Sequence, residues 1–361
     1  MSKGHNSDLS RRHNRGLVLQ LIATGECSSR AELARATGLA KMTVTNIIAD
    51  FITQGVVEES EETQNNSCGR NPIRLRLASG APKVVGLLVC RDQIEAVLCT
   101  LTLEVLKREK VTFLSLETDR LALYVCEALD RLLAGECSVL GVGVASAIPI
   151  DLTAFLEERY RLPVVSGWDS GSAALAEKLF GVGKEVQDLL FLDISDQIGA
   201  GIISGGEVYR VGEAKPQLGH VSIDRNGPMC ACGGRGCLEL YASTPVVLGK
   251  LCKATRRKMK FSQFCHLSGV AEIEQIMTEM INDIVVALAG AISLLHPQMI
   301  VLGGDCMDWA GRHVQTLEES LNRTDTGGGI PVRRAYFGRE AQLVGAAANV
   351  VHQLFQGRVP R

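Results

Sequence analysis

Residues 29–48 read SRAELARATGLAKMTVTNII, and they carry the signals for two helices joined by a glycine turn. Ser29 can accept a hydrogen bond from the Glu32 amide at the start of the first helix, while the Glu32 side chain can return one to the Ser29 amide. The first helix is expected to run to about Thr37, with a tight turn at Gly38. The next helix buries its apolar positions and leaves polar ones outward: Lys41, Thr43, Thr45 and Asn46.

A further helix precedes this pair, and a hairpin follows it. Residues 14–26, NRGLVLQLIATGE, have apolar side chains at helical spacing, and residues 56–77, VVEESEETQNNSCGRNPIRLRL, fit two strands joined by a polar tip. This order predicts a winged helix-turn-helix whose last helix enters the major groove of DNA. The alternative is a three-helix bundle with an exposed hairpin that binds no nucleic acid.

The local positive charge of the N-terminal region favours DNA binding. Residues 3–41 contain seven basic and three acidic side chains, a net charge of +4, whereas the whole chain has a net charge of −2. A polycation that coats nucleic acid is therefore excluded, and DNA contacts must be confined to one module. We expect Lys41 to contact phosphate, Arg70 at the wing tip to reach a minor groove, and short polar side chains to contact base edges. The predicted DNA-binding residues are Arg30, Lys41, Thr43, Thr45, Asn46 and Arg70.

The rest of the chain is predicted to form two similar α/β lobes. VVGLLVC, QIEAVLCT and EVLKREKVTFL fit three strands in hairpin order, followed by a helix and a further strand, and DLLFLDI, GAGIISG and GEVYRVG repeat this opening. The predicted domains are a winged helix-turn-helix over residues 1–78, a first lobe over 83–182 with 340–361, and a second lobe over 183–339. A cleft is expected between the lobes.

Motifs spread over nearly the whole chain resemble those of the ROK family of bacterial sugar kinases and winged-helix repressors. They include residues 29–48 with the wing motif GRNP, LPVVSGWDSGSAALAE, IGAGIISGGEVYR, LGH, CACGGRGCLE, IVLGG and LVGAAA. The resemblance implies an actin-like, ribonuclease-H-like α/β fold behind the DNA-binding module.

The cluster CACGGRGC, with a histidine ten residues upstream of its first cysteine, resembles the structural zinc site of that family. His220, Cys230, Cys232 and Cys237 would form a closed tetrahedral shell with no vacancy for water, so the zinc would be structural. The alternative is redox-active or idle thiols in a reducing compartment.

The resemblance also implies where a kinase would work, and this chain departs from that pattern. Family kinases carry an Asp-x-Gly-x-Thr type loop after the first strand, where this chain has LLVCRDQIEA, and their second glycine-spaced loop is replaced by DISDQIGAGI. Asp169 aligns with the family's catalytic base. Without the phosphate-binding loops we expect no kinase activity.

The sugar site implied by the family is also altered. The candidate effector residues are Trp168, Asp169, Gln217, His220 and Glu239, with Trp168 and Gln217 at positions where the family has Asn and Glu. The chain from Ile148 to Val165 passes almost directly from strand to helix, so a loop that closes over the sugar in the family is missing. The pocket then binds a different or larger ligand, binds a common sugar weakly, or is a vestigial scaffold.

These observations predict a cytoplasmic repressor of carbohydrate-related genes. It would bind a pseudo-palindromic operator as a homodimer or homotetramer, hold one structural Zn²⁺, use a sugar or sugar derivative as effector and have no membrane association. The polar start MSKGHNSDLSRRHNRG has no apolar leader. The rival interpretations are a carbohydrate kinase with an added DNA-binding head, and an assembly factor with no DNA role.

Overall fold

The computed structural model describes residues 5–60, 73–113, 118–209, 214–323 and 328–358. Residue contacts divide the chain into a first unit, Met1–Gly167 with Ala346–Arg361, and a second unit, Trp168–Gly345. The first unit contains both the predicted DNA-binding module and the first sheet. The boundary precedes the helix at 169–179, which the sequence prediction assigned to the first lobe; the three-domain division stays a prediction.

The first part of unit one is a three-helix module with a two-stranded hairpin. Its elements are α1 (His5–Ala23), α2 (Arg30–Thr37), α3 (Lys41–Thr53), β1 (Val57–Ser60) and β2 (Arg74–Leu77). The strands are antiparallel, with Val57 opposite Leu77. Helix α1 begins at His5, earlier than the predicted start at Asn14. Val18, Leu33, Val44 and Ile48 are fully buried and form the core that holds the three helices together.

The start of α2 is capped almost as predicted. The Ser29 hydroxyl accepts a hydrogen bond from the Glu32 amide at 3.3 Å, but the Glu32 carboxylate accepts its shortest bond from the Ser28 amide, at 2.7 Å, rather than from that of Ser29. This bond holds the pKa of Glu32 below its ordinary value. Helix α2 ends at Thr37 and is capped by Gly38, whose φ of 69° is a left-handed conformation that glycine adopts without a steric penalty.

The first five-stranded sheet has the order β5-β4-β3-β6-β7. Its strands are β3 (Lys83–Val89), β4 (Gln93–Cys99), β5 (Val105–Thr112), β6 (Val139–Ser146) and β7 (Val164–Trp168). The first three are antiparallel neighbours, and β6 joins β3 in parallel. Helices α4 (Thr118–Leu133) and α5 (Thr153–Tyr160) contribute Leu129 and Leu156 to the core of this sheet.

The second sheet repeats the same topology in unit two, with the order β10-β9-β8-β11-β12. Its strands are β8 (Leu189–Ile194), β9 (Ile198–Ser204), β10 (Glu207–Val208), β11 (Met299–Gly304) and β12 (Val332–Arg334). The predicted repeat of a three-strand opening is therefore present. Its helices are α6 (Asp169–Leu179), α7 (Glu239–Ala242), α8 (Thr244–Thr255), α9 (Phe261–His266), α10 (Ala271–Leu295), α11 (Gly311–Asn322) and the start of α12 (Ala341–Phe355).

Helix α10 is long and apolar enough, by length and composition, to span a membrane, and it is the single such helix among the described residues. Its apolar stripe faces the core of unit two, where Ile273, Met277, Ile284, Leu288 and Ile292 are fully buried. The stripe follows helical periodicity, as in the core helix of a globular domain.

Candidate DNA-binding, metal and effector sites

Helix α3 presents a polar surface at its first two turns. Lys41, Thr45 and Asn46 are exposed and Thr43 is half-buried, whereas Val44, Ile47, Ile48 and Phe51 are buried and hold the helix against α1 and α2. The Thr45 hydroxyl donates to the Lys41 carbonyl at 2.9 Å, which leaves its oxygen lone pairs as acceptors. The exposed side chains together offer donors, acceptors and one positive charge on one helix face.

Met42 also belongs to this face and is not among the DNA-binding residues predicted from the sequence. Its side chain is 70% exposed at the second position of α3. In the sequence, Met42 lies between Lys41 and Thr43, outside the apolar repeat that α3 buries, and this position could have indicated its exposure. Apolar side chains in this position can contact thymine methyl groups in a major groove.

Not every predicted basic residue is free for DNA. The Arg30 guanidinium lies 2.5 Å from a Glu59 carboxylate oxygen, in an ion pair that joins α2 to β1. Arg15, counted in the local positive charge, is buried; it donates to Asp50 at 2.6 Å and to Gln54 at 3.1 Å, and lies 4.7 Å above the Phe51 ring. Arg15 is therefore a structural residue of the module. Arg70 and Lys3 lie outside the described residues.

The four predicted metal ligands come together. The ligand atoms of His220, Cys230, Cys232 and Cys237 all lie within 4.8 Å of one another. Cys230 Sγ is 3.7 Å from His220 Nδ1, and Cys232 Sγ is 3.6 Å from Cys237 Sγ. Thiolates bound to one zinc at about 2.3 Å in a tetrahedron lie roughly 3.8 Å apart, so these separations suit a single ion.

The backbone folds tightly around these side chains. The Cys230 amide donates to the Gly234 carbonyl at 2.8 Å, and Gly236, with a φ of 60°, passes so close to Asp224 that an added Cβ would lie 1.8 Å from its carbonyl oxygen. A hydrogen bond from the Gly234 amide lowers the pKa of Cys232, while burial raises that of Cys237. Because metal ligation requires thiolates, a bound cation would offset the cost of ionising Cys237.

The predicted effector residues fall into two groups within unit two. Asp169 begins α6 and is buried, with one carboxylate oxygen 3.8 Å from the Lys215 ammonium group. The same ammonium group lies 5.5 Å from the centre of the Trp168 ring. Burial raises the pKa of Asp169, an effect that the charge of Lys215 partly offsets. Lys215 also belongs to this group and was not predicted from the sequence, because it stands in no recognisable motif.

Glu239 and Gln217 lie around the turn that carries His220. A Glu239 carboxylate oxygen accepts a hydrogen bond from the Ile198 amide at 3.2 Å and approaches Gly219, where an added Cβ would lie 3.1 Å from it. Gln217 directly precedes the short 3-10 turn Leu218–His220. His220 Nδ1 lies toward Cys230 Sγ, so this contact joins the 3-10 turn to the cysteine segment.

A second buried carboxylate, Asp193, lies near Asp169. It accepts hydrogen bonds from Gln342 at 2.5 Å and from the Ser195 hydroxyl at 3.0 Å. Burial, followed by the negative charge of Asp169, raises the pKa of Asp193 to about 7. Asp193 was not among the predicted site residues, although an acidic residue in an otherwise apolar strand, LLFLDI, is a signal for it in the sequence.

The two turns that a kinase would use for phosphate have internal bonds in this chain. The Cys90 amide donates to the Gln93 carbonyl at 2.9 Å, and the Ser195 amide donates to the Gln197 carbonyl at 3.0 Å. The glycines of IGAG allow close packing, because a Cβ at Gly201 would lie 2.0 Å from the Ser170 carbonyl oxygen. Strand β6 and helix α5 are joined by residues 147–152 alone.

The sequence profile of the ROK family matches residues 144–353, more than half of the chain. The chain belongs to the ROK family. Among curated ROK-type relatives, the xylose repressor of Bacillus subtilis is 27% identical over 315 residues, covering 80% of this chain and 81% of that protein. The DNA-binding transcriptional repressor Mlc of Escherichia coli is 24% identical over 381 residues, covering 94% and 93%.

Solved structures of ROK proteins show the same fold. The crystal structure of a ROK family transcriptional regulator, a homologue of E. coli Mlc, superposes with a TM-score of 0.82 at 22% identity and covers 98% of both chains. The ROK hexokinase of Thermus thermophilus superposes with a TM-score of 0.65 at 28% identity, covering 74% of this chain and 98% of its own. The fold is therefore mixed α/β of the actin-like ROK type, preceded by a winged helix-turn-helix, as predicted.

Proposed function

We propose that this ROK protein is a cytoplasmic, DNA-binding transcriptional repressor of sugar-related genes. The observation that carries the proposal is the exposed polar face of α3, backed by a buried apolar face, in a winged module joined to a ROK body. The relatives named as xylose repressor and Mlc support it. Thr43, Thr45 and Asn46 would contact base edges and Lys41 a phosphate, with Arg70 at the wing tip.

The operator would be pseudo-palindromic, because a homodimer or homotetramer presents two modules related by two-fold symmetry. Selection of bound duplexes from a random DNA library at about 150 mM salt tests this, since electrostatic binding depends strongly on salt. Enrichment of a two-fold symmetric sequence is the expected result. Folded protein that enriches no sequence would refute the proposal.

Zn²⁺ would occupy the cluster of three cysteines and one histidine as a structural ion. The mutual distances of the four ligand atoms and the ligand types support this, because a closed set of four soft ligands is typical of structural zinc. The ion would hold the loop that leads to Glu239. Trp168, Asp169, Gln217, His220 and Glu239 would then border a site for a sugar or sugar derivative, with Lys215 added to that set.

The second candidate function, a carbohydrate kinase, is favoured by one observation, the buried Asp169 at the position of the family's base. The internal bonds of the turns at Cys90 and Ser195 argue against it, because those amides already have acceptors. A coupled assay with ATP and a panel of hexoses separates the two. We expect no turnover; turnover that Asp169→Asn abolishes would establish the kinase.

A further inference from the structure

A cavity of about 540 Å³ lies between the helix-turn-helix module and the rest of unit one. Helices α1 and α3 form one wall, through Leu19 and Phe51. Pro82, Leu101 and Leu140, from the first sheet and its loops, form the other wall with Leu354 of the C-terminal helix. A volume of this size suits a small molecule of ordinary ligand dimensions.

The charged side chains that line this cavity are all basic. Arg11, Arg12 and Arg15 border it, and no carboxylate occurs among the described residues that line it. One Asp50 carboxylate oxygen lies 2.6 Å from the Arg15 guanidinium and 3.8 Å from that of Arg11. Because Arg15 is buried and Arg11 is 70% exposed, one guanidinium is fixed at the wall and another remains accessible at the rim.

The wall formed by α1 and the C-terminal helix is preformed. A Cβ at Gly16 would lie 2.0 Å from the Phe355 carbonyl oxygen, and a Cβ at Gly357 would lie 2.5 Å from the Arg12 carbonyl group. The two segments therefore touch backbone to backbone beside the cavity. A preformed site loses less entropy when it binds a ligand than one that must first order itself.

We infer that this cavity is a second ligand site, for a small organic anion with an apolar body, and that its occupant contacts the DNA-binding module and the body of unit one together. The apolar walls would bury the body of the ligand, and the arginines would bind its carboxylate, phosphate or sulfonate group. The site is separate from the residues around Asp169. A ligand that bridges both walls would favour one orientation of α3, and so change DNA affinity.

The first test uses the full-length chain, without DNA, and a matched pair of fluorescent probes. The anionic probe is 8-anilinonaphthalene-1-sulfonate and the neutral one is N-phenyl-1-naphthylamine, which lacks the sulfonate. We expect one saturable site per chain for the sulfonate probe. The affinity of the neutral probe should be lower by on the order of tenfold, because it cannot form one charge-assisted hydrogen bond. Equal affinities, or no saturable sulfonate site, would overturn the inference.

Variants locate the site. The pair Arg11→Gln with Arg12→Gln should weaken sulfonate binding by on the order of tenfold. The pair Arg257→Gln with Lys258→Gln removes the same charge from exposed positions of unit two and should leave it unchanged. Leu354→Trp, which places an indole in the cavity wall, should weaken binding, and Leu123→Trp on the exposed face of α4 should not. Wild-type affinity in the arginine pair would overturn the inference, whatever the fate of Leu354→Trp.

The effect on DNA rests on the proposed function, but probe binding does not. A protein that enriches an operator yet binds no sulfonate would refute this inference alone. A protein that binds the sulfonate in the cavity but enriches no DNA would refute the proposed function and leave the ligand site standing. With both present, saturating sulfonate should change operator affinity in the wild type and leave it unchanged in the arginine pair.

Discussion

Asp193 shows how a single buried residue links the fold to pH. Its carboxyl group is almost fully enclosed and has a pKa of about 7, against an ordinary value of 3.8. Between these two pH values the folded protein holds a proton that the unfolded chain has lost. The free energy of unfolding contributed by Asp193 is therefore highest below the lower value and falls as the pH rises through the upper one.

Asp193→Asn should remove this dependence. The amide keeps an acceptor for Gln342 and carries no charge, so at pH 8 the variant should be more stable than the wild type, by a few kcal/mol at most. The difference should vanish near pH 4. Thermal unfolding from pH 4 to 8 measures it, with Asp196→Asn, an exposed acid on the adjacent turn, as the control. A wild type and variant whose unfolding midpoints stay parallel over that range would show that Asp193 does not titrate there.

At the scale of single elements, the segment 230–237, which carries the three cysteines, has almost no apolar core of its own. Gly233 and Gly236 adopt positive φ values of 89° and 60°, and the segment around them consists of turns. Such a segment is expected to be ordered by a bound metal. Its stability should then follow metal occupancy.

Cys237→Ser should abolish metal binding. We expect the wild type to hold one zinc per chain by elemental analysis and to lose at least roughly 5 °C of thermal stability with a strong chelator, because an ordered loop is released. Cys265→Ser changes a buried thiol outside the cluster and should retain the ion. Metal-free wild-type protein with an unchanged melting temperature would contradict the structural role.

Helix α1 and the C-terminal helix α12 touch backbone to backbone at Gly16 and Phe355. Gly16→Ala places a methyl group where the Phe355 carbonyl lies, at 2.0 Å, so α1 must shift. We expect a loss of about 1–3 kcal/mol, typical of an overpacked contact. Gly290→Ala in the exposed part of α10, with nothing within 4 Å of the added Cβ, should be neutral or stabilising. The denaturant concentrations at the unfolding midpoints of the two variants measure this difference in stability. Equal midpoints would show that the close contact is absent.

For the whole molecule, local sequence signals predicted most of the architecture. The capped start of α2, the turn at Gly38 and the alternation of buried positions are set by residues close in sequence. The grouping of His220, Cys230, Cys232 and Cys237 was predictable because the four residues are close together in the sequence. Lys215, Asp193 and the ion pair of Arg30 with Glu59 were missed, because each depends on a contact between residues distant in sequence, and the arginine-bordered cavity depends on contacts between the two ends of the chain.

The two sheets share one topology, and the turns after their first strands, residues 90–92 and 195–197, are both internally bonded. In the first sheet, residues 147–152 alone join β6 to α5. A ROK transcriptional regulator and a ROK hexokinase both superpose on this scaffold. The family alone therefore does not decide between repressor and kinase, and the exposed polar face of α3 is the feature that favours a repressor.

The most direct test of that argument compares the sequences enriched from a random duplex library by three proteins: the wild type, Asn46→Ala on α3, and Asn282→Ala on the exposed face of α10. We predict that the wild type and Asn282→Ala enrich the same two-fold symmetric operator. Asn46→Ala should lose the preference at one position of each half-site, with a cost of about 1–3 kcal/mol at that base pair. If Asn46→Ala enriches the wild-type operator unchanged, or if no protein enriches any sequence, α3 does not read DNA in the way proposed.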